Sequence, residues 1–124
     1  MKPIDRFDGE YKFLSNFYLH PVTFLGLTFA SSEHAYQAMK STDVRVQELF
    51  TLDIMTPGMA KWLGRQIEDT KRPNWNNVKV SFMRRILEVK FTDKELRAKL
   101  DATAPRELIE GNTWDDTFWG VCLS

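Results

Sequence analysis

The sequence predicts several helices and one short β-hairpin. Apolar residues recur at three- and four-residue steps in residues 75–89, which is the spacing of a buried helix face. Thr56 followed by Pro57 has the pattern of an N-cap and the first residue of another helix. Residues 22–29 instead alternate around Leu25-Gly26, as in a β-hairpin. Helical segments therefore outnumber strand segments.

The other predicted elements lie between and after these segments. Residues 43–50 extend or follow the first helix. Three of their side chains are expected to face inward: Val44, Leu49 and Phe50. Gly64-Arg65 closes the helix that Pro57 opens. Thr92 and Glu95 have the spacing of a capping box, which starts a last helix, and residues 108–110 are a short strand candidate.

Size and charge limit what the protein can be. A chain of 124 residues that is 43% hydrophobic can bury one core, and we expect a single domain over residues 1–124. Lys plus Arg number 17 and Asp plus Glu number 17, so net charge gives no general attraction to nucleic acid or an anionic membrane. Any phosphate must therefore meet a local basic cluster.

Cysteine usage and hydropathy favour the cytoplasm. Cys122 is the one cysteine and cannot form an internal disulfide. The first residues lack the apolar run of a secretion signal. No segment approaches the about 20 apolar residues of a membrane helix. We expect a cytoplasmic protein without a membrane partner.

The segment after the hairpin carries polar residues that a packing helix would not need. Ser32 is the expected N-cap. Glu33, Gln37 and Lys40 then share one helix face at i, i+4 and i+7. Glu33 is not the acid of a capping box, because that acid would stand at Ala35. A solvated face with an acid favoured by the helix dipole is the simpler interpretation of this stretch alone, and a functional site is the alternative.

Two further segments combine polar and aromatic residues. Ser15 and Asn16 interrupt an aromatic run that includes Phe17, and their side chains need hydrogen-bond partners when buried, from a turn or from a ligand. Asp116 stands between tryptophans, where an apolar wall can tune a carboxyl group for acid/base chemistry. An acidic surface turn is an equal alternative there. Trp75 is by default a packing residue of the longest helix.

Together these segments resemble the YbiA-like family, also called NADAR after its proposed connection to NAD and ADP-ribose. The resemblance rests on Phe13–Tyr18, Ser31–Lys40, Gly64-Arg65, Asn74-Trp75, residues 83–91, residues 108–110 and Asp116–Gly120. It covers the chain nearly from end to end. The S-E-H-x-x-Q-x-x-K and D-x-x-W-G blocks are specific in combination.

The resemblance implies a compact, mainly helical α+β domain with a small antiparallel sheet, and an N-glycosidase activity that separates a ribose carbon from a nitrogen. Two substrate types are known in the family. One is the phosphorylated ribosylamino-pyrimidine intermediate of riboflavin synthesis with its precursor, and the other is ADP-ribose attached to guanine. Nucleic acid would be bound only as a modified substrate. Residues 121–124 end the chain where the family usually continues with a glycine-rich stretch and a last helix.

The implied chemistry assigns roles to residues of this chain. Cleavage passes through an oxocarbenium-like sugar, which needs a carboxylate and help for the departing nitrogen. Glu33 is the expected carboxylate and Asp116 the second one. The predicted substrate-binding residues are Ser15, Asn16, Phe17, Gln37, Lys40, Arg65, Trp75, Trp119 and Gly120, with Lys71 or Arg72 as further phosphate ligands. We expect no metal or organic cofactor, since the histidines His20 and His34 lie in different elements.

Two other function classes remain open at this point. A binding module would recognise a nucleotide or ADP-ribose without cleaving it. An interaction protein would use its aromatic residues only to build a core. Product release separates the enzyme from the module, and the absence of thermal stabilisation by either ligand would indicate the interaction protein.

Overall fold

The computed structural model describes residues 9–103, which fall into two compact units. The larger unit is Leu19–Lys90, and the smaller combines residues 9–18 with residues 91–103. The larger unit contains β1 (Val22–Phe24), β2 (Leu27–Phe29), α1 (Ser32–Ala38), α2 (Val44–Leu49), α3 (Pro57–Arg65) and α4 (Trp75–Lys90). The smaller contains a 3₁₀ helix (Gly9–Leu14) and α5 (Lys94–Asp101). Helices with one two-stranded antiparallel sheet confirm the predicted fold class, whereas the single domain stays a prediction.

The hairpin forms as its alternating pattern predicts. Leu25 and Gly26 both have positive φ, 49° and 85°, which is the backbone of a tight hairpin turn. On the exposed face, the hydroxyls of Thr23 and Thr28 are 2.9 Å apart. The other face packs inward with Val22, Phe24 and Phe29. The second strand ends at Phe29, shortly before α1 begins at Ser32.

The N-cap of α1 lies one residue earlier than predicted. Ser31 has an extended backbone, and its Oγ accepts a hydrogen bond from the backbone N–H of His34 at 3.2 Å. The prediction that Ser32 is the cap is wrong, because Ser32 is the first helical residue. Glu33 is then the second residue of the helix, and His34 takes the position of a capping-box acid. Capping still does not require Glu33.

The other helix starts follow the same chemistry. Thr56 caps α3 as predicted, since its Oγ1 accepts from the backbone N–H of Met59 at 3.1 Å. At α5 the predicted cap Thr92 is wrong. Asp93 has the extended backbone of a cap, and its carboxylate accepts from the N–H of Leu96 at 3.0 Å. Where two adjacent residues can both cap a helix, the backbone conformation selects one of them.

In α2, two of the three predicted inward residues are exposed. Val44 and Leu49 face solvent, and Phe50, just after the helix, is fully buried as predicted. The buried side chain of the helix is Gln47, whose Nε2 donates to the backbone oxygen of Ser41 at 2.8 Å. The buried position of this six-residue helix is thus taken by an amide that pairs with a backbone carbonyl.

The longest helix, α4, begins at Trp75 as predicted and packs against α1 and β1. Its most buried residues are Trp75, Met83, Ile86, Leu87 and Lys90. Of the predicted stripe, Val78, Phe82 and Val89 are half-buried. The core face is therefore rotated slightly from the prediction. Within residues 9–103, no helix is both long and apolar enough to cross a membrane.

The loop before α4 is tied to the end of α1. The backbone N–H of Arg72 donates to the oxygen of Lys40 at 2.6 Å, and that of Thr42 donates to the oxygen of Thr70 at 2.9 Å. An isolated antiparallel bridge joins Ser41 and Lys71 between them. These bonds hold the basic loop beside the last residues of the first helix.

His34 ties α1 to the connection between α2 and α3. The ring is fully buried, with Nε2 2.7 Å from the backbone oxygen of Met55 and Nδ1 2.6 Å from Ser31 Oγ. A carbonyl only accepts, so Nε2 carries the proton and Nδ1 accepts from the hydroxyl. Burial lowers the pKa of His34 below its usual 6.5, against the opposing effect of the Met55 hydrogen bond. The folded protein therefore favours the neutral form of the His34 ring.

We expect the free energy of unfolding to fall as pH drops below about 6.5, the value for the unfolded chain. The folded-state pKa is lower, so the unfolded chain takes up the proton first on acidification. The contribution of the neutral ring is present above pH 6.5 and is lost progressively on moving down towards the folded-state pKa. Urea unfolding at a series of pH values measures this. His34→Gln should reduce the slope of this pH dependence relative to the parent protein, and an unchanged slope would contradict the assignment.

Candidate active site

Glu33 is a buried carboxylate in the first turn of α1. Only 4% of the residue is exposed. Gln37, one turn further on, donates from Nε2 to Glu33 Oε2 over a long distance of 3.5 Å. The start of a helix favours a negative charge. The predicted solvated face is therefore wrong for Glu33 and Gln37, which are both buried, and the alternative of a functional site stays a prediction.

Gln37 itself is buried with one polar atom unsatisfied. Among the described residues, its Oε1 finds no hydrogen-bond donor. The amide lies against Gly64 of α3, so closely that a Cβ built on Gly64 would overlap Oε1 and lie 2.8 Å from the amide carbon. An unpaired buried acceptor costs about 1–3 kcal/mol of stability. Packing alone does not explain why an amide stands here.

Four cations approach the end of the same helix and form what we call the basic cluster: Lys40, Arg65, Lys71 and Lys79. Burial is the main reason that the pKa of Lys40 is lowered. The Glu33 charge raises it, and the charges of Lys71, Arg65 and Lys79 lower it further. Like charges at close range repel, so the cluster favours an anion. Sequence reasoning found Lys40, Arg65 and Lys71 for this role.

Lys79 was missed by sequence reasoning. It lies four residues after Trp75 on α4, which places it one helix turn from the family-like Asn74-Trp75 segment. That spacing is the signal that could have identified it. The residue is half-buried, whereas Arg65 and Lys71 are exposed.

Arg72, the alternative to Lys71 as phosphate ligand, has a structural task. Its Nε donates to the oxygen of Met39 at 2.9 Å and its Nη2 lies 3.4 Å from the oxygen of Ser41. The guanidinium also covers the ring of Phe82 at 4.7 Å from the centroid. Arg72 anchors the loop and leaves Lys71 as the cation of the pair that joins the cluster.

A polar cleft of about 460 Å³ opens at the start of α4. Its lining residues are Lys71, Arg72, Asn74, Trp75, Asn76 and Asn77. Glu33 is not among them, so the cleft adjoins the basic cluster through Lys71 and does not enclose the acid. Cations and amides are donors suited to phosphate oxygens.

Trp75 is chiefly a core residue. Only 6% of it is exposed, and its ring packs between Tyr36 and Phe82 with centroid distances of 5.2 and 6.0 Å. The default interpretation as a packing residue is thereby confirmed. A contact between the rest of its surface and a base stays a prediction.

The remaining predicted site residues are elsewhere. Ser15, Asn16 and Phe17 belong to the smaller unit, and Ser15 Oγ accepts from the N–H of Phe17 at 3.0 Å, as in a turn. Asp116, Trp119 and Gly120 lie outside the described residues, as does the strand candidate at 108–110. In residues 9–103, no three His, Cys, Asp or Glu side chains gather closely enough to hold a metal ion.

The burial of Gln37 predicts that replacing it costs little stability. Gln37→Met removes both the unsatisfied acceptor and the long hydrogen bond to Glu33. These two effects on the free energy of unfolding oppose each other, so the net loss should be small. Gln47→Met, the matched control, removes the 2.8 Å bond to Ser41 and should cost about 1–3 kcal/mol. Urea midpoints compare the two variants. An equal loss of unfolding free energy in the two variants would show that the Gln37 amide stabilises the fold.

Comparison with known proteins supports one family. The model of the NADAR domain matches residues 5–124. N-glycosidase YbiA of Escherichia coli is 39% identical over 112 residues, which are 90% of this chain and 69% of that protein. An N-glycosidase of Nostoc punctiforme is 35% identical over 89% of this chain and 72% of its own length. A riboflavin biosynthesis protein of Vibrio vulnificus is 39% identical over 91% of this chain and 30% of its own length.

A solved structure agrees with these sequence matches. The NMR structure of E. coli YbiA superimposes with a TM-score of 0.78 at 38% identity, over 97% of this chain and 73% of that one. Both the sequence and the fold thus place the protein with these relatives, as the S-E-H-x-x-Q-x-x-K block indicated. The chain belongs to the NADAR domain family.

Proposed function

We propose that this protein is an N-glycosidase that hydrolyses the bond between a ribose and a base nitrogen. The ribose carries a phosphate or is part of ADP-ribose, and the base is a pyrimidine or guanine. The observation that carries this proposal is Glu33, a buried acid beside the Gln37 amide and within reach of the basic cluster. Two relatives in different bacteria bear the name N-glycosidase, which supports the reaction class.

The acid acts on the sugar. As the bond to nitrogen breaks, positive charge develops on the ribose, and a carboxylate shielded from water stabilises it more strongly than an exposed one would. Glu33 supplies that carboxylate or activates the attacking water, while Gln37 holds one of its oxygens. Asp116 acts as the second carboxylate, at the departing nitrogen or on the ribose.

The basic cluster binds the phosphate. The protein has no net charge, so attraction of an anionic substrate has to come from a local concentration of cations. Lys40 lies just past the C-cap of α1, so the proposed phosphate-binding lysine and the acid are at opposite ends of the same helix. The adjoining cleft gives a second phosphate room beside Lys71. A cytoplasmic location is part of the proposal, since charged ribosides do not cross membranes unaided.

Incubation with the two substrate types tests the proposal. We expect release of ribose phosphate from the ribosylamino-pyrimidine phosphate or of ADP-ribose from ADP-ribosylated guanosine. The reaction products are separated by chromatography. Tight binding of both compounds without any product would overturn the enzyme and leave the binding module.

Glu33→Gln should lower turnover by at least about 10²-fold, because a positioned acid/base group contributes that much or more. The near-isosteric amide keeps the packing, and the cap of α1 is made by Ser31. Glu48→Gln, at an exposed acid on α2, is the control and should retain activity. Thermal unfolding of both variants checks the fold. Normal turnover in Glu33→Gln would remove this residue from the mechanism.

Lys40→Ala and Arg65→Ala should each weaken binding of the phosphorylated substrate more than binding of its dephosphorylated form. Each lost phosphate contact should also reduce the dependence of affinity on salt, because screening acts on the charge pair that was removed. Arg84→Ala, at an exposed cation on α4, is the control. Titrations at two salt concentrations measure the effect. Equal weakening of both forms would assign the two residues to the fold.

A further inference from the structure

We infer that Gly64 is a positioning residue for the acid, because the missing side chain at this point of α3 leaves the space that the Gln37 amide occupies. Gln37 in turn holds Glu33. The inference rests on the proposed function for its catalytic consequence, but its structural content can be tested without any substrate. Gly64 touches no reacting atom in this scheme and acts through Gln37.

The geometry at Gly64 is tight. A Cβ there would overlap Gln37 Oε1, lie 2.8 Å from the amide carbon and lie 3.2 Å from Gln37 Cβ. Real Cβ atoms essentially never approach another heavy atom below 3.0 Å, so the amide, which is the far end of a flexible side chain, would have to move. Both residues are buried at the contact between α1 and α3, which leaves little room for a small adjustment.

Backbone conformation does not explain the glycine. Gly64 has no positive φ, so an alanine fits the backbone and would favour the helix. Gly58 in the same helix provides the contrast, since the nearest atom to its Cβ would be Thr56 Oγ1 at 4.0 Å. Position 64 therefore needs a residue without a side chain, because the Gln37 amide occupies the space that a Cβ would fill.

Displacing the amide would reach Glu33 directly. Gln37 Nε2 is the donor to Glu33 Oε2, and turning the amide over would instead aim its oxygen at the carboxylate. Loss of a donor to the charged form raises the pKa of a carboxyl group. A displaced Gln37 would thus leave Glu33 less often ionised at a given pH and less firmly held.

Gly64→Ala tests this, with Gly58→Ala as the matched control on the same helix. The Glu33 carboxyl is titrated by ¹³C NMR, and kcat is measured against pH. We expect Gly64→Ala to raise the apparent pKa of Glu33, to lower kcat about tenfold or more, and to move the acid limb of the kcat profile to higher pH. Gly58→Ala should behave as the parent protein.

A second variant separates positioning from simple packing. In a Gln37→Ala background the space is free, so adding Gly64→Ala should have less than about a twofold effect on kcat and none on the Glu33 titration. The double variant also covers the case in which Gly64→Ala alone fails to fold, because it should fold like Gln37→Ala. If the double variant is unfolded while Gln37→Ala is folded, the clash is with another group and the inference is overturned.

The outcomes distinguish this inference from the proposed function. A parent protein that cleaves neither substrate type overturns the proposed function, and the NMR titration of Glu33 still decides the role of Gly64. A Gly64→Ala variant with the Glu33 titration and pH profile of Gly58→Ala overturns the inference, whatever its stability. A rise in the Glu33 pKa on adding Gly64→Ala to the parent protein, with no further rise on adding it to Gln37→Ala, supports the inference.

Discussion

The constraint on which the larger unit depends is that all seven residues of α1 are buried. A helix with no solvated face has to satisfy its polar side chains inside the protein or leave them for a ligand. Ser31 and His34 take the first course, since the hydroxyl, the ring and the Met55 carbonyl complete one another's hydrogen bonds. Gln37 does not complete its hydrogen bonds in this way, because its Oε1 stays unpaired within the described residues.

Both ends of α1 are fixed by these polar contacts. At its start, His34 holds the connection between α2 and α3. At its end, Arg72 and the bridge between Ser41 and Lys71 hold the loop before α4. The basic cluster surrounds Lys40, with cations from two helices and a loop acting on it although they are far apart in the sequence. Lys71 and Arg65 are themselves exposed.

Sequence patterns predicted what depends on local chemistry and missed what depends on packing between elements. The start of α3 at Thr56 and the turn at Gly26 follow from residue type alone, and both were predicted correctly. The choice between Ser31 and Ser32 was not, because it depends on the direction in which the hairpin delivers the chain. The acid Glu33 was identified, but its periodic polar face predicted solvent where α3 in fact covers it. No local signal separates the anchoring Arg72 from the exposed Lys71.

The contrast between the two buried glutamines shows where the fold and the site divide. Gln47 and Gln37 have the same side chain and similar burial, yet Gln47 donates to a backbone carbonyl that needs it, and Gln37 faces a carboxylate and a glycine. A protein selected only for stability would replace the second amide by an apolar group, since an unpaired buried acceptor is costly. The amide instead lies beside an acid, in the space left by Gly64, and under the proposed function its cost in stability is offset when a sugar lies against Glu33.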